Sequence, residues 1–351
     1  MIEWIAEYAL FAAKLATLVI ALGVLIVLVV SIKQRASGQQ GDDNRLRVVA
    51  LNERQRQRRE SLRLAGMTPA RRRRAQKALR KQEKARRKGK DDAPDEVPSR
   101  VWVLDFDGDL KASRTPQLAE QVSLLLGELQ AEDEVVVRLT SGGGLVHAYG
   151  LAAAQLDRLR DAGAHLTVCV DKVAASGGYM MACCAHRLIA APFAVIGSIG
   201  VVAQVPNVHR LLKKHDIDVE LLTAGRYKRT LTVLGENTEE GRAKFLDDLQ
   251  ETHDLFKRYV GERRPALEVD KVATGEIWYG RQALEDGLID EIATSDGYLA
   301  ARMKEEARVL HVTLEPRHSL LQRVGVGASM GIERLGDRVM ERLEASSWQR
   351  R

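Results

Sequence analysis

Apolar and polar residues follow one another in short blocks along residues 100–302, and the blocks change period from two to about 3.6. Alternating or continuous apolar runs predict strands at 101–106, 134–139, 166–170, 188–190 and 196–202. Apolar residues spaced three and four apart, together with polar helix signals, predict helices at 117–129, 148–162, 179–185, 238–259 and 281–287. Strands that alternate with helices are typical of an α/β domain with mostly parallel pairing.

The N-terminal residues follow a different pattern, a long apolar run with almost no charge. Residues 8–30 are apolar apart from Lys14 and a few small or hydroxyl side chains. About 20 helical residues cross the hydrocarbon core of a membrane, so this run is long enough to span one. A cleaved secretory signal begins with positive charge, whereas this chain begins with Glu3 and Glu7. We therefore expect an uncleaved transmembrane anchor over 1–32.

The net charge of +6 hides a strong difference between segments. Residues 33–90 hold 21 Lys and Arg against five acids, whereas residues 91–351 hold 32 basic and 41 acidic residues. We expect 33–99 to be a basic linker in which 71–90 can form an exposed helix, because Ala, Arg, Lys and Gln are good helix formers. Near a membrane, a polybasic segment is attracted to anionic lipid. The interleaved aromatic residues that favour RNA are missing, so we expect lipid contact and no nucleic-acid binding.

The remaining composition limits the chemistry that the chain can carry. Cys169, Cys183 and Cys184 have neither the number nor the spacing of a disulfide framework or a metal site, and we expect them in the core. The glycine clusters match neither nucleotide-binding motif, so we expect no cofactor. The catalytic domain is predicted over 100–302, and 303–351 are predicted to form a helical tail.

Two glycine clusters, at 141–144 and 175–178, each end a predicted strand and precede a predicted helix. Glycines there allow backbone N–H groups to point at one anion, which can be a bound phosphate or the oxyanion of acyl transfer. Ser176 lies in the second cluster and is the candidate nucleophile, although a serine in this position is more often a helix N-cap. No histidine is obviously placed to complete a Ser-His-Asp set.

Three motifs, taken together, resemble the signature of the SppA-type signal peptide peptidases. They are Ala-Ala-Ser-Gly-Gly-Tyr at 174–179, Ile-Gly-Ser-Ile-Gly-Val at 196–201 and Gly-Arg-Tyr-Lys at 225–228. The order of anchor, charged linker and single catalytic domain is most similar to the SohB branch of that family. The resemblance implies the ββα-repeat fold of Clp protease and crotonase-like enzymes, an α/β fold preceded here by one transmembrane helix and a basic linker.

The same resemblance implies a role for each candidate site residue. Ser176 matches the nucleophile, Lys228 the general base, and Ser198 a serine that hydrogen-bonds the lysine. The backbone N–H groups of Gly177 and Gly144 would form the oxyanion hole. A lysine with an ordinary pKa of about 10.4 is protonated at neutral pH and cannot accept a proton, and burial favours its neutral form. We therefore expect Lys228 to be desolvated, with Ser198 orienting its amine.

The resemblance also implies partners and substrates. Members of the family assemble into dome-like rings, in which the serine and lysine of one site can come from neighbouring subunits. The expected substrates are extended hydrophobic peptides, such as signal-peptide remnants or misfolded membrane-associated proteins, cut by a serine endopeptidase. The chain departs from the family at Gly142, where the usual Ser-Pro-Gly-Gly turn has proline. Glycine restricts the backbone of the unfolded chain less than proline does.

Two other classes of function and the membrane topology stay open at this point. A crotonase-like acyl-thioester enzyme would also stabilise an oxyanion with backbone N–H groups, and an inactive scaffold would use only the lipid-binding linker. The positive-inside rule places the C-terminal domain in the cytoplasm. The resemblance instead implies an extracytoplasmic catalytic domain on the bacterial inner membrane. A reporter fused after Arg351 would decide between the two sides.

Overall fold

The computed structural model describes residues 44–88 and 99–316, together with Lys14 and Gly23. Apart from those two positions, the predicted anchor over 1–32 lies outside the described residues. None of the helices in the described part is both long enough and apolar enough to span a bilayer.

The chain divides into two compact units. One comprises 47–313, and the other comprises 1–46 with 314–351. Only Lys14, Gly23, 44–46 and 314–316 of the second unit are described, so the structure that positions the candidate site belongs to 47–313.

Strands and helices alternate along most of the described chain. The strands are β1 (Asn44–Ala50), β2 (Arg100–Gly108), β3 (Glu134–Ser141), β4 (His165–Val170), β5 (Val173–Ala175), β6 (Arg187–Ala190), β7 (Val195–Gly197), β8 (Ile277–Tyr279), β9 (Glu291–Ile292) and β10 (Arg308–Pro316). The helices are α1 (Leu51–Ala65), α2 (Pro69–Lys88), α3 (Thr115–Leu126), α4 (Val146–Asp161), α5 (Gly177–Ala182), α6 (His209–Lys214), α7 (Glu239–Arg263), α8 (Val269–Val272), α9 (Gly280–Glu285) and α10 (Ser295–Lys304).

The strands form one mixed sheet in the order β1-β10-β2-β3-β4-β6-β9. A branch leaves this path where β5 pairs with the end of β3; β5 in turn pairs with β7, and β7 with β8. The pairs from β10 through β9 and the pairs of β5 are parallel, whereas β7 and β8 are antiparallel. The predicted α/β class with mostly parallel pairing is confirmed.

Apolar side chains cover both faces of the sheet, because neighbouring positions of a strand point to opposite sides. In β3, Val135, Val137 and Leu139 face the larger core, while Val136 faces the smaller one. The larger core is closed by α3, α4 and α5, and the smaller core by α10. All three cysteines are free and buried, as predicted.

The structure differs from the sequence-based prediction at both ends of the described chain. The predicted linker contains β1, α1 and α2, and the exposed helix expected at 71–90 is confirmed as part of α2. The predicted helical tail is wrong at 308–316, where β10 pairs in parallel with β2. The reason is the composition of this stretch, since Val309, Val312 and Leu314 are β-favouring or apolar and become buried in the sheet.

Asp105 in β2 lies between two hydrogen-bond donors on neighbouring strands. Arg138 Nε donates to Asp105 Oδ1 over 2.6 Å, and His311 Nε2 donates to Oδ2 over 2.9 Å. Burial alone would raise the pKa of Asp105, but the hydrogen bonds from His311 and Arg138 outweigh it and lower the pKa to about 2. Ionised Asp105 therefore stabilises the packing of the neighbouring strands β10, β2 and β3.

We predict that Asp105→Asn lowers the thermal unfolding midpoint at neutral pH. A carboxylate with a depressed folded pKa stabilises the fold above its unfolded pKa of about 4, and this contribution is lost as the pH falls through the folded value. The gap between wild type and variant should therefore be widest above about pH 4 and close toward pH 2. Asp107→Asn, at an exposed position of the same strand, is the matched control. An equal effect of both substitutions at every pH would contradict this account.

Candidate active site

Three turns meet at the carboxyl ends of β3, β5 and β7. The paired positions are Ser141 with Ala174 and Ala175 with Gly197. Because these strands are parallel neighbours, the turns that follow them leave the sheet at the same edge. The glycine turn 142–144, Ser176 and Ser198 are thereby brought together, as the two glycine clusters and the resemblance had suggested.

Ser176 occupies a strained position between β5 and α5. Its φ of 52° and ψ of −120° lie outside the regions that non-glycine residues usually adopt. Its backbone N–H donates to Gly197 O over 2.8 Å, and its carbonyl accepts from Met180 N over 3.0 Å. Its side chain makes no capping hydrogen bond to α5, so the N-cap alternative is not supported. The hydroxyl group is left available at the tip of a strand-to-helix turn.

The glycine turn 142–144 packs directly against this serine. Gly143 has a φ of 87°, and a Cβ added to it would lie 2.7 Å from Ser176 Cβ, so a side chain does not fit there. The Gly143 N–H donates to Ser141 Oγ over 3.0 Å. Among the described residues the Gly144 N–H makes no hydrogen bond. Gly144, which lines both cavities beside Ser176, therefore has a donor free for an anion.

The buried hydroxyl groups of Ser141 and Tyr149 hold the glycine turn in place. Tyr149 Oη donates to Asp109 O over 2.7 Å, which uses its only proton, so Ser141 Oγ is the donor in the 2.5 Å contact between the two hydroxyls. Burial raises the pKa of Tyr149. A Cβ on Gly177 would collide with the Tyr149 ring, so this tyrosine contacts both glycine elements. Sequence reasoning missed Tyr149, whose only signal is its place on the helix after the first glycine turn.

Two cavities meet at Ser176, and both are also lined by Gly144 and the 200–201 backbone. The larger, of about 760 Å³, is bounded by the glycine turn, Ser198 and residues of α7. The smaller, of about 350 Å³, has a mostly apolar wall that includes Val146, Met180, Leu255, Phe256 and Tyr259. Gly177 lines the smaller cavity, so each predicted site residue except Lys228 borders one cavity or the other.

Lys228 is not brought to the serine within the single chain. It lines neither cavity and is exposed, so the expectation of a desolvated Lys228 is wrong for the isolated chain. The physical reason is that residues 201–234 bury none of their side chains against the rest of the chain. The further expectation, that serine and lysine come from neighbouring subunits, stays a prediction.

His253 is a polar residue of the larger cavity that sequence reasoning did not single out. It lies on α7, and its Nε2 donates to Ile199 O over 3.2 Å. His147, at the start of α4, lines the smaller cavity. In residues 44–88 and 99–316 there is no group of three His, Cys, Asp or Glu side chains that could hold a metal ion. A lone histidine on a long amphipathic helix gives no sequence signal of its own.

The mixed α/β sheet, with a strained serine at its edge, fits a Clp protease-like fold. The sequence profile described as "Peptidase family S49 N-terminal" matches residues 3–156. The profile described as "Peptidase family S49" matches residues 158–310. The chain belongs to peptidase family S49.

Three relatives illustrate the range of similarity. A Haemophilus influenzae protein named "Probable protease SohB" is 58% identical over 231 residues, which are 66% of this chain and 65% of the relative. A protein of the same name from Buchnera aphidicola subsp. Schlechtendalia chinensis is 57% identical over 202 residues, or 58% and 66% of the two chains. "Protease 4" of Haemophilus influenzae is 25% identical over 211 residues, or 56% and 33%. The chain spans just under two thirds of the length of the first two.

Proposed function

We propose that this chain is a membrane-anchored serine endopeptidase in which Ser176 is the nucleophile and Lys228 the general base. The observation that carries the proposal is the strained Ser176 at the junction of two cavities, beside the unpaired Gly144 N–H. Family membership and the protease names of the relatives support the same reaction class. Labelling of Ser176 by a phosphonylating probe would argue against the acyl-thioester alternative.

The proposed reaction combines groups that border these cavities with a lysine that would be brought to them by a neighbouring copy. Ser176 Oγ attacks the peptide carbonyl carbon while its proton passes to the lysine Nζ. The N–H groups of Gly144 and Gly177 hold the resulting oxyanion, the second because the first N–H of a helix has no partner within it. Collapse breaks the C–N bond, and the leaving amine takes the proton from the lysine. Water then hydrolyses the Ser176 ester and releases the acid product.

A second copy of this chain is the proposed source of the lysine. Residues 201–234 expose eleven large apolar side chains, including Val202 at 87% and Leu222 at 88% exposed. Exposed apolar side chains concentrated in one segment are what a protein–protein interface would cover. Contact with a neighbouring copy would cover this segment and remove water from the Lys228 amine, which a general-base lysine requires. The assembly is proposed to be a closed ring.

Mixing two inactive variants tests this arrangement. Ser176→Ala and Lys228→Ala should each abolish hydrolysis of an unstructured hydrophobic peptide. When the two are unfolded, mixed in equal amounts and reassembled, about a quarter of the sites should combine an intact serine with an intact lysine from a neighbour. The measurement is the initial rate of peptide cleavage relative to reassembled wild type.

The controls separate the possible outcomes. Arg229→Ala removes the neighbouring exposed cation and should keep full activity. A mixture that remains as inactive as its components would refute a dyad shared between copies. Full activity of Lys228→Ala would show that the lysine is only a surface charge. A wild type that cleaves no peptide while binding anionic membrane would favour the scaffold.

The smaller cavity is proposed to bind an apolar side chain of the substrate next to the scissile bond. Its apolar wall lies beside Ser176, and Gly150 forms part of it without crowding. Among the described residues, no atom lies within 4 Å of the position that a Cβ on Gly150 would take, so a side chain there would project into open space. We therefore propose that α4 sets the size limit of the substrate pocket.

We predict that Gly150→Leu shifts cleavage toward small side chains. The added side chain occupies part of the cavity, so kcat/KM for a peptide with leucine or phenylalanine before the cut should fall about 10- to 200-fold relative to one with alanine. Ala154→Leu, one turn further along α4 at an exposed position, is the matched control and should leave the ratio unchanged. An unchanged ratio in Gly150→Leu would exclude the smaller cavity as the pocket for that side chain.

The hairpin of α1 and α2 is proposed to contact anionic lipid next to the proposed anchor. Residues 51–88 hold 16 basic and three acidic residues, a net charge of +13. No residue of α1 is buried. Arg72 Nε donates to Leu64 O over 2.9 Å and steadies the turn between the helices. Each basic residue close to an anionic surface contributes about 1 kcal/mol of attraction.

Binding to vesicles tests this proposal. The chain without residues 1–32 should bind phosphatidylcholine vesicles only when phosphatidylglycerol is added, and more weakly as salt is raised. Replacing the four arginines at 71–74 by glutamine should weaken binding at least about tenfold. Equal binding to both vesicle types, or preferential binding to RNA, would overturn it.

A further inference from the structure

The turn that carries Ser198 is itself strained. Gly197 has a φ of 95° and Ser198 a φ of 49°, so two successive residues are left-handed. A non-glycine residue in this region costs on the order of 1–3 kcal/mol and persists only when its surroundings hold it. The contacts that hold this turn therefore determine where the Ser198 hydroxyl points.

Three successive residues of the turn are tied to three different parts of the chain. Gly197 O accepts from Ser176 N over 2.8 Å, and Ser198 N donates to Glu276 O over 2.6 Å. Ile199 O accepts from His253 Nε2 over 3.2 Å, while the Ile199 side chain is completely buried. The first two ties are made between backbone groups and do not depend on the identity of a side chain. The third depends on one side chain.

The His253 tie joins the turn to the helix that walls both cavities. Leu246, Leu249, Gln250 and His253 of α7 line the larger cavity, and Thr252, Leu255, Phe256 and Tyr259 line the smaller. A shift of α7 relative to the sheet edge would therefore change the cavities and the Ser198 turn together. His253 is the point where the helix contacts the backbone of the turn.

We infer that His253 is a positioning residue that fixes the Ser198 turn against Ser176 through the Ile199 carbonyl. A carbonyl oxygen only accepts, so the proton in this contact is on Nε2. The role therefore requires a donor at this reach and does not require charge. An Nε2 that donates to the backbone is also not available to accept the Ser176 proton, which separates this role from that of a general base. The inference rests on the proposed peptidase function.

Substitutions of matched shape test the contact. His253→Leu keeps bulk but removes the donor, and kcat should fall at least about tenfold with KM within about twofold, because misplacing a group by about 1 Å can cost 100-fold. His253→Gln offers an amide N–H at similar reach and should recover kcat to within about threefold of wild type. Glu251→Leu, exposed on the same helix, controls for adding leucine to α7 and should behave as wild type.

A double-mutant cycle separates positioning of the turn from support of the helix. If His253 acts through the Ser198 turn, His253→Leu should lower kcat much less in a Ser198→Ala background than in wild type. The rate at which a phosphonylating probe labels Ser176 gives a second reading of the same cycle. Multiplicative losses in both measurements would overturn the inference, as would a kcat unchanged by His253→Leu.

Two further comparisons keep the result clear. Wild type and Ser176→Ala are assayed together. A wild type without Ser176-dependent cleavage refutes the proposed function, whereas normal cleavage with an unaffected His253→Leu refutes only the inference.

If His253→Leu does not fold or assemble, His253→Gln is compared with His253→Asn, whose side chain is one bond shorter. Recovery by glutamine but not asparagine supports the contact, and equal kcat values in the two variants refute it.

Discussion

The parallel pairing of β3, β5 and β7 is the constraint on which the candidate site depends. Backbone hydrogen bonds of a ladder fix register, and Ser141 is held opposite Ala174 as Ala175 is held opposite Gly197. The three turns that follow these strands therefore have no freedom to separate. A glycine turn with a free N–H, a strained serine and a second strained serine become neighbours because of where their strands end.

Helices that pack behind this sheet edge fix the geometry of the three neighbouring turns. Tyr149 reaches from α4 to the Ser141 hydroxyl and lies against Gly177, so one buried side chain supports both glycine elements. The helix α7 closes the other side and contributes walls to both cavities. The sheet supplies the order of the turns, and the helices supply the spaces beside them. Under the proposed function, the sheet would order the reacting groups, while α4 and α7 would both support those groups and shape the spaces for substrate.

The parts of the site that could be predicted from sequence are those whose signal is local. Ser176 and the glycine turns stand at strand ends, where the pattern of apolar runs and glycines indicates a turn before any tertiary contact is known. His253 and Tyr149 could not be found in this way, because their roles arise from helices that pack across the sheet edge. The predicted burial of Lys228 is not found in the single chain, where this side chain is exposed. β10 gives a weak local signal, because its short apolar pattern runs directly into the Arg-, Gly- and Leu-rich residues that follow it.

Lys228 is exposed and lies outside both cavities beside Ser176, which has a consequence for when such an enzyme would be active. Under the proposed arrangement, a newly made copy carries a nucleophile without a base and a base without a nucleophile. Its activity would rise more steeply than linearly with the local concentration of the chain, because each complete site requires two copies to associate. Confinement to a membrane plane would raise that concentration. Such a chain would behave as a proenzyme whose activation needs no proteolytic cleavage. It would be inactive at low concentration and would become active when copies of the chain associate.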